Sequence, residues 1–150
     1  MKRLMILNGP NLNMLGIREP HIYGTTTLEQ IRKSCEQQAK QLKLQLSFHQ
    51  SNHEGELVEL IQSARTSADA IIINPAGYGH TSVAILDSSL ACPIPVIEVH
   101  LSNIHRREPY RNHSYVSKGA TGIIMGLGAQ GYVRAVDAVA DILSAKGKKK

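Results

Sequence analysis

Five short apolar runs, most of them followed by a stretch of helical periodicity, constrain this chain more than any other feature. Leu4–Leu7, Leu44–Phe48, Ala70–Ile73, Val96–His100 and Thr121–Met125 read as strands. Leu28, Ile31, Cys35, Ala39 and Leu42 recur at helical spacing behind Thr27, where Gln30 completes a capping-box signature. Further helices are expected over Glu56–Arg65, Ser82–Ala91 and Gly131–Ala145. Alternation of this kind calls for a parallel sheet, because parallel neighbours need a crossover between them. Five strands match the flavodoxin-like, doubly wound arrangement, with order 2-1-3-4-5 and helices on both faces. The second run alternates apolar and polar residues, as an edge strand with one exposed face does.

With 150 residues, one Phe and no Trp, the chain can close one domain around an aliphatic core. A single catalytic domain over 1–145 is expected, with 146–150 as a basic, disordered tail. No apolar run approaches the ~20 residues that span a bilayer. Asn8, Pro10 and Asn11 interrupt the first run too early for a signal peptide, so a cytoplasmic protein with no membrane partner is expected. Cys35 and Cys92 sit in apolar contexts and read as buried thiols. The net charge of +5 includes Lys146, Lys148, Lys149 and Lys150; without them the balance is +1. The body is therefore not an evident nucleic-acid surface, and an anionic small molecule is compatible with it.

The expected strand order brings the carboxyl ends of strands one, three and four to one rim, where open α/β sheets bind ligands. Three polar clusters meet there. The first is the loop Asn8–Gly24, far longer than the usual two to six residues of a βα connection. Its Tyr23 is a poor base unless its anion is favoured. Lowering a phenol by ~2–3 units needs ~3–4 kcal/mol of preferential stabilisation, which Arg18 can help supply in a closed site. The bland alternative is a turn tyrosine beside a solvated arginine. The second cluster is Asn74 to Ser82, with His80 in it. Thr81 or Ser82 either caps the next helix or leaves its first N–H groups for an anion. The third runs from Glu98 to Arg111. Glu98 and His100 share one strand face, so the carboxylate can orient the imidazole as a general acid, or merely pair with it. Arg107 and Arg111 either offer charge to an acidic substrate or are solvated. Asp87 is a surface or interface carboxylate. Gly126-Leu127-Gly128-Ala129-Gln130-Gly131 fits a GxGxxG pattern, but no βαβ unit follows it, so it reads as a tight turn. The histidines lack metal-ligand spacing.

Taken together, the motifs resemble type II 3-dehydroquinate dehydratase, the type II dehydroquinase family. The matching pieces are Asn8-Gly9-Pro10-Asn11-Leu12-Asn13, Arg18-Glu19-Pro20 with Tyr23-Gly24, Gln50-Ser51-Asn52 and Ile73-Asn74-Pro75-Ala76. They continue through His80-Thr81-Ser82-Val83-Ala84, Ile97-Glu98-Val99-His100-Leu101-Ser102-Asn103, His113-Ser114-Tyr115 and Gly126-Leu127-Gly128-Ala129. The resemblance implies reversible anti elimination of water from 3-dehydroquinate through an enolate, in the shikimate and quinate pathways, with no metal or other cofactor. It implies Tyr23 as the base, Arg18 as its activator, and Asn11 as the residue that steadies the enolate through a water. It implies His100 as the acid, oriented by Glu98. Asn74, His80 and Arg111 would hold substrate hydroxyls, and the backbone at Leu101 and Ser102 its carboxylate. Asp87 would reach a neighbouring subunit's site in a trimer-based dodecamer. Two positions depart from the family pattern: Gly79, where Thr often precedes the His, and Leu86, where Arg commonly precedes the Asp.

Overall fold

The computed structural model describes residues 1–147. In chain order the elements are β1 (Lys2–Asn8), α1 (Pro20–Tyr23), α2 (Leu28–Gln41), β2 (Leu44–Gln50), α3 (Glu54–Ser67), β3 (Ala70–Asn74), α4 (Val83–Leu90), β4 (Val96–His100), β5 (Gly122–Met125) and α5 (Gln130–Gly147). The strands form one parallel sheet in the order β2-β1-β3-β4-β5, the order read from the sequence.

Side-chain alternation along the central strands divides the core in two. Leu4 and Ile6 of β1 and Ile72 of β3 face α2 and α5, where they meet Ile31, Cys35, Val136 and Val139. Met5, Leu7, Ile71 and Ile73 face the other way and meet Leu57 and Ile61 of α3 and Ile85 of α4. β2 lies at the edge and packs only one row inward, Leu44, Leu46 and Phe48. Both cysteines are free and buried, and burial pushes the Cys35 thiol up to about 12.

The predicted caps form. Thr27 Oγ1 accepts from the Gln30 N–H at 3.2 Å, and Gln30 Oε1 accepts from the Thr27 N–H at 2.9 Å. Ser82 Oγ accepts from the Ile85 N–H at 3.0 Å, so Ser82 caps α4, and neither it nor Thr81 lines the cavity at the carboxyl ends of β1, β3 and β4. The elements run longer than their apolar patterns. α3 begins at Glu54, before its apolar pattern, because Glu54 and Glu56 favour the positive end of the helix dipole. The expected boundary at 145 falls short of the helix end: α5 continues through Gly147 and takes in Lys146. Alanine and lysine are good helix formers, and nothing before Gly147 stops the helix. Lys148, Lys149 and Lys150 lie outside the described residues.

Three glycines hold the rim together. The Gly9 N–H donates to the Asn74 carbonyl at 2.8 Å, and a Cβ at Gly9 would lie 2.5 Å from the Pro75 carbonyl oxygen. The loop after β1 can therefore lie against the end of β3 only if residue 9 has no side chain. Gly126 and Gly128, with φ of 87° and 60°, turn the chain from β5 into α5. Their N–H groups donate to the carbonyls of His100 and Leu101, so the GxGxxG stretch is a turn that fastens the segment after β4.

Candidate active site

A cavity of about 170 Å³ opens at the carboxyl ends of β1, β3 and β4. The three clusters read from the sequence converge on it. Asn11, Arg18, Tyr23, Asn74, His80, His100, Leu101, Ser102 and Arg111 all line it, and so does Arg107.

The long loop after β1 is more structured than its composition suggests. It contains a 3-10 turn over Leu12–Met14 and the single helical turn α1. Leu12 and Leu15 are buried and pin its first half to the core, while Ile17 is 75% exposed. Any lid movement therefore belongs to the half beyond Leu15. Asn11 takes the left-handed conformation, φ 69°, and its N–H donates to Asn52 Oδ1 at 3.0 Å. Asn52 in turn accepts at its carbonyl from the Tyr78 hydroxyl at 2.7 Å.

Tyr23, carried on α1, sits among cations. The Arg18 guanidinium carbon lies 4.9 Å from the ring centroid and that of Arg107 lies 5.1 Å from it. Both are at cation–π distance. Arg107 is the more enclosed, its side chain 12% exposed against 37% for Arg18. Burial alone would lower the pKa of Arg111; the charge of Tyr23, together with Tyr110 and Glu108, outweighs it and raises the value.

Behind His100, Glu98 is fully buried and does not itself line the cavity. One carboxylate oxygen accepts from His100 Nε2, and the other accepts from the Ser117 hydroxyl at 2.7 Å. Burial works to raise the Glu98 pKa, but the bond and charge of His100 and the Ser117 bond prevail and hold it below its ordinary value. A carboxylate only accepts, so His100 Nε2 carries a proton and Nδ1 is the ring nitrogen left for the cavity.

His80 stacks near His100, with centroids 6.4 Å apart and planes 19° from parallel. Its Nδ1 lies 2.7 Å from the His113 carbonyl, which can only accept, so Nδ1 carries the proton. The His113 ring returns a bond from Nε2 to the His80 carbonyl at 2.9 Å. Burial lowers the His80 pKa, with the charges of His100, Arg111 and His113 adding to it, although the bond to His113 opposes the shift. Neutral His80 thus offers Nε2 as an acceptor.

Asp87 is the one predicted site residue that neither lines the cavity nor bonds to a predicted residue that does. It is exposed on α4 and does not line the cavity of its own chain. Sequence reasoning missed the supports: Asn52 under Asn11, His113 behind His80, Ser117 behind Glu98, and Tyr132 behind Asn74. Asn52 and His113 lie inside matched motifs, which was the available signal. Tyr132 sits on the apolar stripe of α5, where nothing in the pattern separates a core aromatic from a hydrogen-bonding one.

The sequence profile of the class II dehydroquinases matches residues 2–140. A protein named catabolic 3-dehydroquinase 1 from Aspergillus fumigatus is 55% identical over 139 residues, covering 93% of each chain. A protein named 3-dehydroquinate dehydratase from Phenylobacterium zucineum is 55% identical over 141 residues, covering 94% of this chain and 97% of its own. Among solved structures, a type II dehydroquinase from Propionibacterium acnes superposes with a TM-score of 0.91 at 40% identity, covering 94% of this chain and 97% of that one. A profile spanning nearly the whole chain, relatives of this identity and the shared fold place the protein in one group: the chain belongs to the class II dehydroquinase family.

Proposed function

We propose that this cavity carries out the reversible dehydration of 3-dehydroquinate to 3-dehydroshikimate, a hydro-lyase reaction of the shikimate and quinate pathways. The observation that carries the reading is a tyrosine with two guanidiniums close to its ring and a histidine backed by a buried carboxylate, lining one cavity. Arg18 and Arg107 stabilise negative charge on the Tyr23 oxygen, and the phenolate takes the C2 proton. The electron pair left at C2 moves into the adjacent carbonyl to give an enolate, whose oxygen Asn11 steadies through a water. Collapse of the enolate expels the C1 hydroxyl, and His100 supplies the proton with which it leaves as water. Glu98 keeps the imidazole oriented and balances its charge. Arg111 and the backbone at Leu101 and Ser102 receive the carboxylate and hydroxyls, with Asn74 and His80 on the remaining hydroxyls. No step calls on a cofactor.

Asp87 is assigned to the site of a neighbouring subunit. Its exposure on α4 supports this, as do Val83 and Leu90 on the same helix, 50% and 62% exposed. The assembly is a homo-oligomer, a dodecamer of four trimers, acting in the cytoplasm. Among the described residues no helix is long and apolar enough to cross a membrane.

The test is direct. Purified protein given 3-dehydroquinate in the presence of EDTA should produce the ultraviolet-absorbing enone; no absorbance change would refute the assignment. Solution mass decides the assembly.

A further inference from the structure

Behind the cavity lies a buried polar chain that the reaction scheme does not use. Tyr132, on the first turn of α5, is fully buried in the core between the sheet and α2. Its hydroxyl donates to Asn8 Oδ1 at 2.7 Å and accepts from Asn74 Nδ2 at 2.9 Å. Asn8 Nδ2 donates onward to the His49 carbonyl at 2.9 Å. Asn74 Oδ1 accepts from the Ala76 N–H at 3.1 Å. Three neighbouring strands, β2, β1 and β3, are thus tied through one phenol arriving from α5.

The direction of every bond in this chain is determined. The Ala76 N–H can only donate, so the atom of Asn74 facing it is the oxygen. The Asn74 amide nitrogen then faces Tyr132, and the phenol must accept there and donate to Asn8. The His49 carbonyl can only accept, which fixes the Asn8 amide the same way round. Burial raises the Tyr132 pKa, so the hydroxyl keeps the proton that this arrangement requires. With its oxygen and one N–H engaged, Asn74 has one N–H left, and Asn74 lines the cavity.

We infer that Tyr132 is a positioning residue for substrate recognition: through its bond to Asn74 Nδ2, and together with the Ala76 N–H on Oδ1, it holds the amide so that Asn74 presents its remaining N–H as a donor to the bound substrate. The inference rests on the proposed function, in which Asn74 touches a substrate hydroxyl. It specifies that this hydroxyl accepts at Asn74, whereas the hydroxyl meeting His80 donates to a free ring nitrogen. The two side chains therefore read opposite hydrogen-bond polarities, and a substrate epimer that exchanges them mismatches both.

The experiment is a double-mutant cycle read in KM and kcat with 3-dehydroquinate. Tyr132→Phe removes the acceptor for Asn74 and should raise KM about tenfold, the worth of one hydrogen bond, with kcat within about threefold. In an Asn74→Ala background the same change should add nothing to KM. Asn8→Ala, which leaves the Asn74–Tyr132 bond but frees the phenol at its other end, should raise KM by less and should also be silent beside Asn74→Ala. It carries the test if Tyr132→Phe fails to fold. Unchanged KM with a lowered Tm, or effects that multiply in the double variants, would overturn the inference and leave Tyr132 a core residue. Absence of turnover in the wild-type protein would instead overturn the proposed function.

Discussion

Glu98→Gln isolates the charge behind His100 while keeping its shape. In the native site both carboxylate oxygens accept, one from His100 Nε2 and one from Ser117 Oγ at 2.7 Å. Glutamine has one acceptor oxygen. If that oxygen stays on His100, its NH2 group faces Ser117, whose hydroxyl can rotate and accept. The geometry survives and the charge assistance goes. Hydrogen bonds to charged groups are worth about 1.5–3 kcal/mol against about 0.5–1.5 for neutral ones. A loss of roughly 1.4 kcal/mol corresponds to about a tenfold fall in kcat. KM should change little, because Glu98 does not line the cavity. Initial rates of enone absorbance give both constants. The pH dependence of stability supplies a second reading. A folded-state pKa below the ordinary 4.5 means that the unfolded chain binds the proton more readily. The Glu98 contribution is therefore fully present above about 4.5 and is lost as pH falls through the lower folded-state value. Denaturant titrations of wild type and Glu98→Gln should accordingly converge in acid. A variant with wild-type kcat, or a stability gap that persists unchanged in acid, would refute this account of the pair.

The remaining expectations concern the loop after β1 and its neighbours. Arg107→Ala should lower kcat by about 2- to 30-fold, the worth of a cation–π contact of about 0.5–2 kcal/mol, and by no less than Arg18→Ala, because the more enclosed charge is less screened; a larger loss at Arg18 would reverse their ranking. Gly9→Ala should destabilise the fold by about 1–3 kcal/mol in urea titrations, since its Cβ meets backbone that cannot swing away; unchanged stability would mean that the loop after β1 separates easily from the end of β3.

The sheet was legible because its signal is local. Runs such as Ala70–Ile73 must be buried on both faces, and the half-exposed alternation of Leu44–Phe48 identifies an edge. From that order alone, the convergence of Tyr23, His80 and His100 on one rim follows. Element ends were less legible, because Glu54 and Lys146 are helical without being apolar. The supports of the site were legible least. Arg107 reaches Tyr23 across 84 residues of sequence, and Tyr132 reaches Asn8 across 124. Such pairings have no period and emerge only when the sheet has brought their elements together. The residues that would touch the substrate were readable as types in clusters; of those that orient them, only Glu98, two residues from His100 on the same strand face, was.

Tyr23→Phe tests the central claim most directly. The substitution removes one oxygen and leaves the ring beside Arg18 and Arg107. Turnover of 3-dehydroquinate, followed by enone absorbance, should fall by at least about a hundredfold, the low end of the contribution of a positioned general base, while the variant still binds substrate with near-native affinity. A Tyr23→Phe protein that dehydrates 3-dehydroquinate at close to the wild-type rate would contradict the account.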